Sequence, residues 1–410
     1  MVGITVHRGT AEIGGSCIEI AHDGARLILD CGLPLNLPEG TSGELAPTLD
    51  LRRPVQGVLL SHGHADHHGL VGQLPAEWPV WSGAPTRRLV AIGERLFDRA
   101  SPAVWNTWVS GQSFDLGPFR VTPHLTDHSG FDAHMLEVEV AGRRILYSGD
   151  FRTHGRKGEL VRRLRLGGEV DVLLLEGTNL AGGKPHDREQ DLEERFVELA
   201  TRTPGRMLVA ASAQNLDRIV TLFRAARRTR RILVVDLYTA YVLETVPGAA
   251  AIPRPSWGVP ELRPLILSRM AHRFREKGMG DFVDAMARCQ GLSARTLAEA
   301  VPGAILLVRP RMIPDLTRNG FIPAAGDVLI WSQWTGYLDR PDIREMRDWA
   351  QNAAFEIIHT SGHASGDALR AFAAAVGARS IVPVHGECWD TRAQGFDHIA
   401  RLADGETLVV

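Results

Sequence analysis

Short apolar runs recur along the first 180 residues of the chain, separated by glycine, proline and aspartate. Runs of about four to eight apolar residues between such turn-forming residues predict buried β-strands. Two further runs of the same kind lie near the C-terminus. The six clearest runs are RLILD (26–30), VQGVLLS (55–61), RRILYSGD (143–150), DVLLLE (171–176), FEIIH (355–359) and SIVPVH (380–385).

Between residues 181 and 345 the pattern changes, and helical and strand-like segments alternate. Helical spacing occurs at 187–202 and 215–231, and continuous apolar runs occur at 207–212 and 231–236. Such alternation predicts βαβ units around a parallel sheet. We therefore predict an α/β protein in which a second domain interrupts the first. The predicted segments are 1–180 for the first part of one domain, 181–345 for the inserted domain and 346–410 for the C-terminal part of the first.

The composition is that of a soluble globular protein. Of its 410 residues, 44% are hydrophobic and 23% are charged, and the formal net charge is −2. The N-terminus lacks the basic start and apolar core of a signal peptide, and no apolar run reaches the length of a membrane span. We therefore expect a cytoplasmic protein without a membrane partner. The four cysteines form no CxxC pair, which predicts reduced thiols rather than a zinc–thiolate site.

Nearly every predicted strand ends on, or just before, a residue that could bind a metal or act as an acid. The segment with the most such residues is SHGHADHHG (61–69), which follows the predicted strand at 55–61. Positions two apart in an extended backbone face the same way, so His62 and His64 can bind one ion. Asp66 and His67, one step further round the turn, then face a second ion. A His-rich polar loop at the surface is the alternative interpretation.

A site for two zinc ions also needs further ligands, including a shared carboxylate. His128 in LTDHSGFDAH fits the first ion, Asp150 at the end of ILYSGD fits the bridge, and His385 at the end of SIVPVH fits the second ion. His124 and His134 compete with His128 for its place, and the strand-end context of His128, beside Asp127 and Ser129, favours His128.

Asp30 ends the predicted strand RLILD and stands two residues before Gly32. A carboxylate at this place can accept a hydrogen bond from a ligand imidazole and fix its tautomer. It can equally form an Asx turn before Gly32. The sequence leaves both interpretations open.

Four elements occur in this order along the chain: DCG, SHGHADHHG, His128 and SGD. Together they resemble the metallo-β-lactamase fold, an αββα sandwich that holds two zinc ions. The segments LLLEGTN, HTSGHASGDAL and VPVHGE are similar to motifs A, B and C of its β-CASP subgroup, and GTAEIGGSCIEI and SGDFRTHGRK resemble the RNase J-like ribonucleases of bacteria and archaea. The resemblance covers nearly the whole chain and implies a metallo-β-lactamase sandwich with an inserted α/β β-CASP domain.

The resemblance also implies roles for the motif residues. It implies that Asp66 is catalytic together with Glu176 of motif A and His363 of motif B. A carboxylate beside an imidazole orients the ring and raises its pKa, which makes a proton donor or a phosphate clamp at neutral pH. A buried structural pair is the alternative for Glu176 and His363. The implied ligands are His62, His64, His128 and Asp150 for one zinc ion, and Asp66, His67, Asp150 and His385 for the other.

The activity implied by the resemblance is hydrolysis of phosphodiester bonds in single-stranded RNA, as an endo- or 5′-exoribonuclease. Two Zn²⁺ ions, or Mn²⁺ in their place, would generate hydroxide from water. His385 in motif C is typical of RNA-processing members, whereas DNA-repair members tend to have valine there. The chain continues for about 25 residues after His385, whereas RNase J continues into another domain. The roles of that domain in assembly are therefore not carried over, and a homodimer is left open.

Three other functions compete with this prediction. They are a DNA nuclease of the same fold, a hydrolase of small thioesters or lactones, and a catalytically inactive scaffold. The inserted domain and motifs A to C argue against the small-molecule hydrolase, because such an enzyme needs no polynucleotide cleft between two domains. The complete set of ligand positions argues against the scaffold.

The segment ASAQNLDR follows a predicted strand of the inserted domain and opens a predicted helix. Helix N-termini bind phosphate through free N–H groups, and related β-CASP enzymes resemble this pattern. Helix capping explains the serine and asparagine equally well. The candidate substrate-binding residues are Ser212, Gln214, Asn215 and Arg218.

Overall fold

The computed structural model describes residues 1–37, 42–98, 103–184, 186–246, 251–300 and 303–410. These described residues divide into two compact units. Unit 1 comprises Met1–His186 and Gly362–Val410, and unit 2 comprises Asp187–Ser361. Among the described residues, no helix has both the length and the apolar character needed to cross a bilayer.

The strands, in chain order, are β1 (Val2–Arg8), β2 (Cys17–His22), β3 (Ala25–Leu29), β4 (Gly57–Leu59), β5 (Val80–Gly83), β6 (Trp105–Trp108), β7 (Phe114–Leu116), β8 (Phe119–Leu125), β9 (His134–Val140), β10 (Arg143–Tyr147), β11 (Val172–Glu176), β12 (Met207–Ala210), β13 (Leu233–Asp236), β14 (Leu262–Ile266), β15 (Leu292–Ser293), β16 (Ile305–Val308), β17 (Val328–Trp331), β18 (Ala354–Ile357), β19 (Ser380–Val384) and β20 (Thr407–Val409).

The α-helices are α1 (Ala65–His68), α2 (Ala84–Phe97), α3 (Gly158–Arg162), α4 (Glu189–Arg202), α5 (Leu216–Arg228), α6 (Leu237–Thr245), α7 (Ser268–Glu276), α8 (Gly280–Arg288), α9 (Ala294–Ala300), α10 (Ile313–Arg318), α11 (Pro341–Trp349), α12 (Gly366–Val376) and α13 (Trp389–Arg392). Single 3₁₀ turns lie at Val71–Gln73, Pro255–Trp257, Pro310–Met312 and Thr335–Tyr337.

The sheets of unit 1 pack face to face over a shared core. In its described residues they have the strand orders β20-β1-β2-β3-β4-β5-β6 and β19-β11-β10-β9-β8-β7. Side chains alternate across each strand: Ile145 and Tyr147 of β10 enter the shared core, whereas Leu146 packs on the other side with Phe372 of α12. Helix α2 packs on the outer side of the first sheet, against β5 and β6. These layers confirm the predicted αββα sandwich.

Parallel pairing brings distant parts of unit 1 to one sheet edge. Strand β11 pairs in parallel with β10 on one side and with β19 on the other. In this register Glu176 stands opposite Val384, next to His385. Asp150 follows β10 at the same edge. The carboxyl ends of these neighbouring strands therefore carry three of the candidate site residues.

Unit 2 is built on a sheet with the order β15-β14-β13-β16-β12-β17-β18. Its pairings are parallel throughout the described residues. The buried strand β13 has the continuous apolar sequence LVV, which is typical of strands covered on both faces. Helices α4 and α5 lie within the segments predicted to be helical from their spacing.

The second domain boundary differs from the one predicted from the sequence. The run 355–359 was expected in the C-terminal part of the first domain, but β18 pairs in parallel with β17 inside unit 2. Unit 2 therefore extends to Ser361 rather than ending at residue 345. The physical reason is that an apolar run indicates a strand without indicating which sheet edge it joins.

The first turn of α2 is capped by a carboxylate from a distant loop of unit 1. Asp132 Oδ2 accepts hydrogen bonds from Thr86 N at 3.1 Å and from Thr86 Oγ1 at 3.0 Å. Burial raises the pKa of Asp132 to about 6, although these two bonds oppose the rise. The residue also has a φ of 64°, in the left-handed region that asparagine tolerates well.

We expect the replacement Asp132→Asn to change how stability depends on pH. A carboxyl whose pKa is raised by folding stabilises the folded state below that pKa, and this contribution is lost as the pH rises towards 8. Relative to wild type, the free energy of unfolding of the variant should therefore be about 1 kcal/mol larger at pH 8 than at pH 5. Denaturant unfolding at both pH values measures this difference. A variant that follows the wild-type pH profile would contradict the raised pKa.

Candidate metal centre

The motif SHGHADHHG turns from the end of β4 into the short helix α1. His64 stands at the N-terminal end of this helix, and its carbonyl accepts a hydrogen bond from His67 N at 3.0 Å. The helical turn carries Asp66 and His67 round to a different side from His62 and His64. The motif therefore divides into two pairs, as the alternation of positions predicted.

The first group of possible ligands consists of three imidazoles. The ligand atoms of His62, His64 and His128 lie within 4.8 Å of one another. His128 Nδ1 donates to Gly362 O at 2.6 Å, which turns its Nε2 towards His64 Nδ1, 3.1 Å away. The two competing histidines are placed elsewhere. His124 Nε2 is bonded to Glu137 and His134 Nδ1 to the carbonyl of Asp132, each at 2.8 Å.

The second group combines Asp66, His67, Asp150 and His385, whose ligand atoms also lie within 4.8 Å of one another. His67 Nε2 lies 3.1 Å from Asp150 Oδ2. His385 Nε2 lies 3.7 Å from both Asp66 Oδ2 and Asp150 Oδ2. His385 arrives here with a φ of 49°, a strained conformation for a residue with a side chain.

Asp150 lies between the two groups. Its Oδ2 is 3.7 Å from His62 Nε2 and 4.0 Å from His128 Nε2, in addition to its contacts with the second group. The other oxygen, Oδ1, is buried without a hydrogen-bond partner among the described residues, as are His62 Nε2 and His385 Nε2. A buried polar atom without a partner costs free energy. Cations bound in the two groups, one in each, would give His62 Nε2 and His385 Nε2 the partners that they lack.

The electrostatics of the groups suit a cation. Burial, together with the neighbouring imidazoles, holds the pKa of His62 and His128 well below the ordinary value. Burial alone would raise the pKa of Asp150, but His385 and His67 outweigh it and leave the pKa well below the ordinary value. The imidazoles of His62 and His128 are therefore neutral and the carboxylate of Asp150 is ionised, as metal binding requires. Burial would lower the pKa of His67, but Asp150 and Asp30 outweigh it and raise the pKa well above the ordinary value, so a metal at His67 would replace a proton.

Gly130 leaves the space that the first group needs. A Cβ atom on this residue would lie 3.0 Å from His62 Cδ2, 3.1 Å from His128 Cδ2 and 3.2 Å from His64 Nε2. Any side chain would therefore press on all three rings at once. This close approach explains why position 130, in the segment LTDHSGFDAH, is a glycine.

Asp30 is fully buried and contacts His67 on the side of the ring opposite to Asp150. Its Oδ2 accepts a hydrogen bond from His67 Nδ1 at 2.7 Å, and its Oδ1 accepts one from Ser61 N at 2.7 Å. The N–H of Gly32 donates to Ser16 O instead, so no Asx turn forms at this described segment. Of the two interpretations left open by the sequence, the structure favours the one in which Asp30 orients a ligand imidazole.

Glu176 and His363 form a pair beside the second group. Glu176 Oε2 lies 3.2 Å from His363 Nδ1, and the carboxylate also accepts hydrogen bonds from Phe151 N and Thr178 N, each at 3.2 Å. Burial would lower the pKa of His363, but Glu176 and Asp150 outweigh it and raise the pKa above the ordinary value. The pair can therefore hold a proton near the centre. His363 also lies within reach of His128 and Asp150 as a third group of possible ligands.

Three hydroxyl groups that hold the centre together were missed by the sequence reasoning. Ser16 Oγ lies 2.9 Å from His385 Nδ1, and Ser61 Oγ lies 3.1 Å from His62 Nδ1. The Tyr147 hydroxyl donates to Asp30 at 2.7 Å. Ser16 lies in the motif GTAEIGGSCIEI and Ser61 in SHGHADHHG. The spacing of a serine in the sequence does not distinguish one that bonds a ligand from an ordinary polar residue.

The four candidate substrate-binding residues lie in unit 2, at the turn from β12 into α5. Asn215 caps the helix, because its side chain accepts a hydrogen bond from Arg218 N at 3.1 Å. Gln214 Nε2 donates to Tyr238 Oη at 3.0 Å, and Ser212 is exposed. Arg218 is fully buried and paired with Glu189 at 3.2 Å. Substrate binding by these residues stays a prediction.

Comparison with known proteins begins with sequence models of families. The model described as the metallo-beta-lactamase superfamily matches residues 11–202. The chain has the metallo-β-lactamase fold. A second model, described as a Zn-dependent metallo-hydrolase RNA specificity domain, matches residues 352–395. These matches confirm the resemblance to the metallo-β-lactamase fold that the motifs indicated.

Proteins named Ribonuclease J are among the relatives of this chain. The one from Mycobacterium tuberculosis is 30% identical over 243 residues, which cover 54% of this chain and 42% of the relative. The one from Sinorhizobium meliloti is 22% identical over 413 residues, which cover 93% of this chain and 69% of the relative. An RNase J-like protein from Methanocaldococcus jannaschii is 25% identical, over 58% of this chain and 55% of the relative. The match thus spans less than half of the mycobacterial protein.

Among solved structures, a protein of unknown function from Enterococcus faecalis has the same fold. It superposes with a TM-score of 0.80 over 100% of both chains at 20% sequence identity. At this level of identity the likeness concerns the fold alone.

Proposed function

We propose that this chain is a zinc-dependent hydrolase that cleaves phosphodiester bonds in single-stranded RNA. The observation that carries the proposal is the arrangement of two buried ligand groups on either side of Asp150 Oδ2. The description of the second family model and the names of the relatives support RNA as the substrate. The histidine in motif C supports the same choice.

The donor set of the centre suits two divalent ions. His62, His64 and His128 would hold one ion and Asp66, His67 and His385 the other, with Asp150 shared between them. Imidazole and carboxylate donors are those that zinc prefers when no thiolate is present, and manganese accepts the same donors. Ions in such a site lower the pKa of a water molecule from 15.7 to about 7 and so supply hydroxide at neutral pH.

The residues of the chain supply the proton transfers. Burial would raise the pKa of Asp66, but His67 and His385 outweigh it and lower the pKa, so this carboxylate stays ionised and can accept the proton of the attacking water. Glu176 holds His363 through Nδ1 and keeps it protonated, so that Nε2 can donate to a phosphate oxygen or to the leaving oxygen. Attack by water that breaks the bond between phosphorus and the 3′ oxygen leaves a 5′-phosphate on one product and a 3′-hydroxyl on the other.

The proposal is tested by offering the protein RNA and DNA of equal sequence, each labelled at either end, together with a simple thioester. We expect cleavage of the RNA in zinc or manganese, its loss after chelation, its recovery when metal is restored, and about two zinc ions per chain by elemental analysis. Product lengths distinguish endonuclease from 5′-exonuclease action. Hydrolysis of the thioester with the RNA intact, preferential cleavage of the DNA, or a protein without bound metal would each contradict the proposal.

A further inference from the structure

The residue Tyr147 ends β10 at a position where the sheet is apolar. Its direct neighbours on the adjoining strands are Leu136 of β9 and Leu174 of β11. Its ring belongs to the core shared by the two sheets of unit 1, and the side chain is 1% exposed. Phenylalanine would fill this place equally well, so the hydroxyl group needs a separate explanation, because burying a polar group is costly unless it is bonded.

The hydroxyl group is bonded to the carboxylate that stands behind the metal centre. Tyr147 Oη donates to Asp30 Oδ2 at 2.7 Å. The same oxygen accepts hydrogen bonds from Ser61 Oγ and from His67 Nδ1, each at 2.7 Å. Three donors therefore converge on one oxygen atom, and a fourth, Ser61 N, is bonded to Oδ1 at 2.7 Å. Burial, together with Asp30, keeps the pKa of Tyr147 well above the ordinary value, so the group remains a donor.

This arrangement fixes one ligand of each group. His67 donates Nδ1–H to Asp30, and this bond turns its Nε2 towards Asp150 Oδ2, 3.1 Å away. Ser61 Oγ donates to Asp30 and can accept from His62 Nδ1 at 3.1 Å. The orientation of both rings thus depends on where the carboxylate of Asp30 is held. Such outer hydrogen bonds set the tautomer and basicity of ligand imidazoles.

We propose that Tyr147 is a positioning residue of the metal centre, which holds Asp30 in place and through it orients His67. The inference rests on the proposed function only in taking His67 as a metal ligand, and it does not depend on RNA being the substrate. Without the hydroxyl, Asp30 keeps its bonds to Ser61 but loses the donor that comes from the opposite sheet. The carboxylate can then turn, and the bond to His67 loses its alignment.

The experiment compares Tyr147→Phe with wild type in zinc affinity, measured by competition with a chromogenic chelator. We expect one of the two zinc ions to bind about 10-fold more weakly, the lower end of the range for loss of such an outer partner. At limiting zinc the variant should cleave RNA with a lower kcat and an unchanged KM, and excess zinc should restore kcat. The matched control is Tyr241→Phe in unit 2, where the ring packs against Phe274 and Phe282.

A double-mutant cycle separates positioning from simple packing. Asp30→Asn should weaken zinc binding more than Tyr147→Phe does, and adding Tyr147→Phe to it should have no further effect, because the hydroxyl acts through the carboxylate. Wild-type zinc affinity in Tyr147→Phe, with only a lower melting temperature, would overturn the positioning role and leave the proposed function standing. A wild-type protein that binds no zinc would overturn both.

Discussion

Replacing Asp150 by asparagine should lower the rate of RNA cleavage by roughly 1,000-fold or more, the scale seen when one member of a catalytic unit is lost. The expectation follows from its position, because Oδ2 lies within 4.0 Å of the Nε2 atoms of His62, His128 and His385 and still closer to that of His67. An amide has the same shape but no charge to balance two cations. Cleavage of labelled RNA and zinc content per chain measure the effect, and the zinc content should fall below two.

The matched control for this change is Asp171→Asn. Asp171 precedes β11, at the end of the sheet opposite to Glu176, and accepts hydrogen bonds from Arg143 and Arg144. The same chemical change there should leave the cleavage rate and the zinc content as in wild type. If Asp150→Asn kept both zinc ions and full activity, the metal centre would not be where we place it.

Replacing His363 by alanine should lower kcat by about 10²- to 10⁴-fold, the usual contribution of general acid catalysis. Zinc content should stay at two per chain, because the two ligand groups do not need this residue. A steady-state analysis with RNA, combined with elemental analysis, measures both quantities. Loss of a zinc ion would instead assign His363 to the metal, as its position near His128 and Asp150 also allows.

Glu176→Gln gives an independent test of the same pair through pH. The negative charge of Glu176 raises the pKa of His363, so its removal should lower that pKa. If protonated His363 is the active form, the decline of kcat at high pH should begin at a lower pH in the variant. An unchanged pH profile would argue for the buried structural pair that the sequence also allowed.

Much of the fold could be predicted because its signals are local. Apolar runs between turn residues indicated β3, β4, β10, β11 and β19, and helical spacing indicated α4 and α5. The destination of β18 could not be predicted in this way. Its four residues carry the same kind of signal as the strands of unit 1, and the choice of sheet is decided by long-range packing.

The ligand groups could likewise be predicted only in part. The spacing of His62, His64, Asp66 and His67 separates them into two pairs before any coordinates are known. The context of His128, at a predicted strand end beside Asp127 and Ser129, favoured it over His124 and His134. The structure places His128 beside His62 and His64 through a hydrogen bond to Gly362 O, which is remote in the chain, and bonds His124 to Glu137 of the adjoining strand.

The hydroxyl groups of Ser16, Ser61 and Tyr147 could not be predicted from the sequence for a further reason. Tyr147 occupies a core position, where an aromatic ring is expected for packing alone. Its function depends on whether a carboxylate from another sheet ends within hydrogen-bond distance, which is a property of the assembled sandwich.

The order of the strands also has a consequence during synthesis. Strand β19, which leads to His385, comes after the whole of unit 2 in the chain, and β20 then pairs with β1. For most of translation, a growing polypeptide therefore carries Asp66, His67 and Asp150 without His385, the fourth member of their group. Contacts between such distant residues form late in folding. The second ligand group therefore cannot be complete on a growing chain before β19 and His385 have left the ribosome.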